Sequence, residues 1–561
     1  MNVANCTRMW AGAVSICSLL FGAGCLPQGK VEEGTAGPGG PIQSGSAPDG
    51  GPSGPDGGSG TPDGGPLLTT STCTSPIQQL DVSHPTTVVG DGTRSSCTED
   101  ALERAVQRGG TITFNCGGSA TIPVTRQKVL RTDVDTTIDG QGQVTLDGMG
   151  SARLFYFGGP DFRRTTTLVT LQNLVLINGK STGTSIPEIP GQPPQCSRGF
   201  QVDGSGAAIF IHDGVLHAYN VTFQNNRAAP LGPDVGGGAI YALGSKEVVV
   251  VSSRFIGNSA SNGGAIAALN TDVTVVNSGF TQSSALGNGG NDYDPACPFG
   301  ESGSGGSGGA IYMDGGADGT ATFCGNVFAN SRGGDNAFGG AIFRTPDDAM
   351  QVTIIDQCIF DHNSAPGGGA LYVHNSQLRI TKSTFSDNHA VIGGTLQADG
   401  TILTAENSTF SNNQTTGPWG VIALFAGQGD LRSCTFVGNR ADFSPVAPDF
   451  AGVTIENSVF LGNLATGGNI SCDLTNSGSG NLQWPDPGGN QPNALSGCVR
   501  GVGIGDPQLS NLEDHGGPTP TFLPAPSSSA ARRASACPAT DQRNLPRPNQ
   551  NACTAGSVEI R

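Results

Sequence analysis

Charge is scarce in this chain. Only 13% of its 561 residues are Asp, Glu, Lys or Arg, and only 6% are aromatic. So little charge, beside so much Gly, Asn, Ser and Thr, fits a turn-rich β protein better than a helical one. Basic residues are outnumbered, 28 against 45 acidic, for a net charge of −17. That balance argues against nucleic acid or any polyanion as a partner held by bulk electrostatics. Familiar chemistry is missing too. His212, His217, His362, His374 and His389 show no metal-ligand spacing. There is no EF-hand or nonapeptide calcium pattern, Ser-His-Asp set, Cys-His pair or phosphate loop.

What is abundant is Gly (88) and Pro (36). Arg8, an apolar run from Met9 to Phe21 and then Gly22-Ala23-Gly24-Cys25 predict a signal peptide over 1–24, too short to span a bilayer. The ending resembles the bacterial lipobox, with Gly22 where Leu is usual. That resemblance implies an acylated Cys25, with outer-membrane lipid as a partner. Leu26 follows and no Asp retention signal is present, so the expected place is the outer membrane or cell surface. Residues 25–72, rich in Gly, Pro and Ser, read as a lipid-anchored flexible linker.

Beyond residue 200 a motif recurs, Phe followed three places later by Asn. The phenylalanines are Phe223, Phe255, Phe360, Phe385, Phe410, Phe436 and Phe460, and their partners Asn226, Asn258, Asn363, Asn388, Asn413, Asn439 and Asn463. Phe280 and Phe328 keep the slot without the Asn. A period of about 25 residues means a solenoid. Seven and five residues before Phe stand pairs such as Val248/Val250, Val273/Val275 and Leu378/Ile380, which are strand signals. Two before it the residue is small: Ser253, Ser278, Ser383, Ser408 and Ser458, or Cys358 and Cys434. Three short strands per period predict an all-β parallel β-helix over 73–505, each coil ~4.8 Å above the last. Like residues then stack on like. The Phe rings form an inward column and the Asn amides a ladder at a turn. GGAI at 237–240, 263–266, 308–311 and 339–342, with GGAL at 368–371, marks where φ is positive or backbones approach closely.

The pairing of GGA(I/L) with FxxN resembles the repeats of the chlamydial polymorphic outer membrane proteins over about residues 200–465. The C-terminal stretch, DPQLSNLEDHGG, then DQRN and a closing SVE, is similar to the tail of choice-of-anchor Q proteins, a pectate-lyase-like β-helix group. These resemblances imply a right-handed winding, a cell-surface adhesion role and a distinct tail over 506–561.

Residues 98–108 form the one clear amphipathic helix, read as an N-terminal plug with Thr98 as cap, and 121–148 as the first coils. Loops at 179–206 and 286–307 interrupt the array. Fifteen cysteines in an exported chain suggest disulfides. The local candidates are Cys97–Cys116, Cys472–Cys498 and Cys537–Cys553, with Cys196–Cys297 joining the loops. Cys358 and Cys434, three coils or about 14 Å apart, are expected to stay thiols. No cofactor is expected; Asp292, Asp294 and Glu301 are the one candidate set for calcium.

A hydrolase reading fails on spacing. Asn270-Thr271-Asp272, Asp347-Asp348, His374 and Arg379 to Lys382 echo polygalacturonase motifs in order. The Asp pair falls about three coils apart, against the roughly 6.5–9.5 Å of an inverting pair. The expected function is therefore a surface-displayed rod that binds a glycan or protein without catalysis. The alternative is a polysaccharide lyase or glycoside hydrolase.

Overall fold

The computed structural model describes residues 73–182, 203–289, 301–315, 320–346, 348–391, 393–417, 420–442, 452–465, 477–485 and 499–561, with 292, 293 and 446 in addition. The signal peptide, Cys25 and the linker lie outside them, as do Cys196, Cys297, Cys472, Cys498, Asp294 and the side chains of Asp292 and Glu301.

The chain winds as a right-handed parallel β-helix. Its walls are a 24-stranded sheet, a 10-stranded sheet and short ladders at the third side. Winding begins earlier than the sequence suggested. Thr87–Val89 already pairs with Gly110–Phe114, so the helix Glu99–Arg108 is an excursion within the first coil. Short β-branched segments such as TVV and GTITF suffice for strands once a neighbouring coil completes their hydrogen bonds.

One coil shows the pattern. Val352–Asp356 lies in the long sheet, Gln357 turns at φ 54°, and Ile359–Asp361 carries the Phe. His362 turns again at φ 53°, Asn363 is buried at the corner, and Ser364–Ala365 forms the short ladder. Gly368 and Gly369 then lead into Leu371–His374 of the 10-stranded sheet. The two glycines serve different needs. Gly368 adopts φ 57°, while a Cβ on Gly369 would collide with the His389 carbonyl of the next coil.

Inside, Leu378, Ile380, Phe385, Leu371 and Val373 are fully buried. The Phe rings stack in one file from Phe223 through Phe255, Phe280, Phe328, Phe360, Phe385, Phe410 and Phe436 to Phe460, with centroids 4.6–5.3 Å apart. Coil rise and ring stacking distance coincide, so one repeat satisfies both. Where Asn follows Asn, the amide is fully used. Asn388 Nδ2 donates to Asn413 Oδ1 at 3.0 Å and to the Phe360 carbonyl at 2.8 Å, while its Oδ1 accepts the Asn363 N–H at 2.9 Å. Ser283 and Ser331 interrupt this ladder after Phe280 and Phe328.

The small slot before each Phe is a second file. Ser383 N–H donates to Ser408 Oγ at 3.2 Å, and Cys358 N–H to Ser383 Oγ at 3.0 Å. Cys358 and Cys434 are buried free thiols, and burial pushes each up to about 12. Disulfides join Cys97–Cys116, Cys537–Cys553 and Cys73–Cys324. The last pairing, 251 residues apart, has no local sequence signal.

Candidate ligand-binding face

Two segments, residues 73–80 and 506–561, cover parts of the outer face of the long sheet. Near the N-terminus, residues 73–80 cross it as a strap. Cys73 is bonded to Cys324 and exchanges hydrogen bonds with the Asn277 amide at 3.3 and 2.8 Å. Leu80 exchanges two of 3.0 Å with Gln172. Cys73, Ile77 and Tyr219 pack on Val249, Val251 and Val276.

Further along, residues 506–561 fold back onto the same sheet. Gln542 is wholly buried; its Nε2 donates to Thr384 Oγ1 and Thr519 Oγ1 at 2.9 Å, and its Oε1 accepts from Thr409 Oγ1 at 2.7 Å. Ser557 Oγ bonds Thr409 and Thr435 at 3.2 and 3.0 Å. The Thr of each S-T-F repeat is thus a docking point for the tail. Asp541 pairs with Arg543 at 2.7 Å, and Arg547 with Glu559 at 2.8 Å. The DQR and SVE motifs therefore lock the tail from within, and the tail is continuous with the solenoid in packing.

Among the described residues, neither 73–80 nor 506–561 lies on the outer face of the 10-stranded sheet. Here Tyr156, Phe210, Tyr241, Ala267, Tyr312, Phe343, Tyr372, Gln397 and Ala423 stand in register. Their rings stack at 5.1–5.5 Å in two runs broken by Ala267. The first run is closed over. The Arg153 guanidinium lies 5.3 Å from the Phe210 ring centre, and Tyr241 OH donates to the Asp234 carbonyl at 2.9 Å. The second run is more open, with Phe343 half-buried and Phe338 exposed and leaning on Tyr372.

Beside this second run, Asp314, Thr345, His374 and Asp399 follow one another in successive strands. Asp314 accepts from Tyr312 OH at 2.9 Å and Thr345 Oγ1 at 2.5 Å. Asp399 accepts from Tyr372 OH at 2.8 Å and from Gln397 at 3.3 Å. Burial pushes the Asp399 carboxyl up to about 6, against the pull of those bonds, and lowers His374 below its usual range. The strip thus offers carboxylate acceptors, a neutral imidazole and ring edges. Its two carboxylates are three strands apart, about 14 Å, too far for a paired acid and base. Sequence reasoning met His374 only as an echo of a hydrolase motif and missed Asp314, Thr345 and Asp399, because all four sit in the variable fourth position of their strands.

Other expected groups do not assemble. Asp272 is held by Arg163 at 3.3 Å, Asp348 caps a turn onto Met350, and Asp347 lies outside the described residues. Asp361, His362 and Asp387 do come together at a corner, with His362 Nδ1 2.8 Å from Asp361. The Asp361 hydrogen bond raises the imidazole. Cys73, Cys324 and Asp356 also cluster, but both sulfurs belong to the disulfide.

No curated protein sequence matches this chain. Among solved structures, the surface adhesin PfbA of Streptococcus pneumoniae aligns with 74% of this chain and 97% of its own, at 14% identity and a TM-score of 0.31. A tailspike protein of E. coli bacteriophage HK620, solved with a hexasaccharide, aligns over 69% and 66%, at 14% identity and 0.29. Scores this low transfer no ligand to the present chain. The family comparisons are firmer: the model for the right-handed beta helix region matches residues 302–481, and that for the Chlamydia polymorphic membrane protein repeat matches 220–243. The repeat region of this chain is a right-handed β-helix with a repeat of the polymorphic membrane protein kind.

Proposed function

We propose that this chain is a surface-displayed, lipid-anchored rod that binds a partner on the strip between Asp314 and Asp399, in adhesion or envelope structure, without catalysis. One observation carries the reading: residues 73–80 and 506–561 lie on the long sheet, while the 10-stranded sheet keeps a half-open strip of acceptors and ring edges. The polymorphic membrane protein repeat supports exposure at a cell surface. The three disulfides fit an oxidising compartment. Acylated Cys25 would attach the rod to outer-membrane lipid.

The test is a glycan and protein array probed with the mature chain and with Asp399→Asn and Phe343→Ala. A ligand bound at least tenfold more weakly by both variants supports the reading, and one bound equally by all three removes the strip from it.

A second reading rests on Asp399 itself, a carboxyl close to half-protonated near pH 6 and bonded to a phenol. Such a group suits a polysaccharide-cleaving enzyme. Oligosaccharide release from a polysaccharide panel, with and without calcium and abolished by Asp399→Asn, would establish catalysis in place of binding.

A further inference from the structure

We infer that the rod is mounted by its flank and not by its end, and that the Cys73–Cys324 disulfide sets the mounting point. This rests on the anchored reading above, because it concerns where the polypeptide from Cys25 joins the solenoid.

The first strand, Thr87–Val89, lies at the end plugged by the Glu99–Arg108 helix. A chain entering directly would arrive there. Instead the described chain enters at Cys73, bonded to Cys324 well along the axis. Register gives the displacement. From Gly110–Phe114 the path runs Ile112, Ile138, Leu171, Ala218, Val250, Val275 and Phe323, six inter-strand steps or about 29 Å.

The strap itself confirms the geometry by length. Leu80 is fixed at Gln172, and Gln172, Tyr219, Val251, Val276 and Cys324 are successive register partners. Those four steps span about 19 Å. The seven residues from Cys73 to Leu80 reach about 23 Å when extended. The strap is therefore nearly taut and crosses the strands of the long sheet.

The tail occupies the same sheet further on, with contacts from Gln357 to Asn481. Both ends of the described chain therefore share one wall. The 10-stranded sheet, with its acidic strip, is free of both. An anchor pulling at Cys73 draws on the long-sheet wall near the middle of a stack of coils about 70 Å long, at 4.8 Å per coil. Without the disulfide, the strap is held by the amide bonds at Asn277 and Gln172 and by its cover over Val249, Val251 and Val276. Losing those contacts would move the entry point to the plugged end.

The experiment places nitroxide amino acids at Thr74 and Arg108 of the full mature chain and measures their separation by pulsed electron resonance. The expected oxidised protein shows a defined population at about 30 Å or more. Cys73→Ser/Cys324→Ser is expected to broaden that population toward short distances, while hydrogen exchange still protects the Phe385 coil. A short or broad distribution in the oxidised wild type overturns the flank mount. An unchanged distribution in the double variant overturns the role of the disulfide. Binding of the same protein to a supported outer-membrane lipid bilayer is scored separately: no retained layer refutes lipid anchoring and leaves the intramolecular distances to decide the mount.

Discussion

In each repeat the two positions that flank the Phe carry an unusual conformation. The positions three before and two after each Phe are left-handed: Lys382 and Asp387 around Phe385, Asn407 and Asn412 around Phe410. They bend the strand on both sides of the ring, which holds Phe inward and turns the following Asn into the corner. Asn and Asp tolerate this region better than other non-Gly residues. Phe385→Ala should cost about 3–5 kcal/mol, because the rings above and below prevent collapse of the gap. Asn388→Ala should cost about 2–4 kcal/mol, since it strands the Phe360 carbonyl and the Asn363 N–H and Nδ2, and takes one of two donors from Asn413 Oδ1. Urea unfolding of each variant checks both. Asp399 predicts a pH effect of defined sign. Its folded value of about 6 exceeds the unfolded value of about 3.9, so ionisation opposes folding. Stability should fall as pH rises from about 4 to 6, by about 3 kcal/mol from this group. Asp399→Asn should flatten that interval in melting curves.

The capping helix is an element that the repeat does not explain. Thr98 Oγ1 accepts the Ala101 N–H at 3.2 Å, and Leu102, Ala105 and Val106 plug the first coil. Beneath it Lys128 is fully buried, 2.6 Å from Glu99 and 3.1 Å from Glu103. Its ammonium lies in the inward line that other coils fill with apolar side chains, so the helix must supply the counter-charges. Burial works to raise Glu99, but bonds from Lys128, Thr125 and the Arg126 N–H outweigh it and hold the carboxyl down at about 2. The unfolded value is about 4.3. This contribution is therefore complete above about pH 4.3 and is lost as pH falls through 2. Glu99→Gln should remove that acid-dependent loss, read as protection of the 99–108 amides against pH. Thr98→Ala should cost about 1 kcal/mol.

At the scale of the molecule, a solenoid couples only neighbouring coils, so long-range order must come from what runs across them. The disulfide-pinned strap and the tail do so. Gln542 alone joins Thr384, Thr409 and Thr519. Gln542→Ala should cost about 2–4 kcal/mol through these buried partners. It should also free 506–561 for limited proteolysis well before the coils unfold. Cutting of tail and coils at equal rates would show that the tail does not act as a latch.

Much of this architecture was legible because the repeat forces it. The period of about 25, the inward Phe, the buried Asn and the small slot each recur, and a side chain stacked on copies of itself needs no partner from elsewhere in the chain. The local disulfides Cys97–Cys116 and Cys537–Cys553 were readable for a similar reason, since few residues separate them. The Cys73–Cys324 bond, the seating of Gln542 and the strip from Asp314 to Asp399 were not. Each joins residues whose proximity depends on how many coils lie between them and on which wall faces outward. Sequence alone determined that the chain stacks on itself; only the tertiary winding decided which wall its ends would cover and which it would leave open, because that choice is made by long-range contacts with no period.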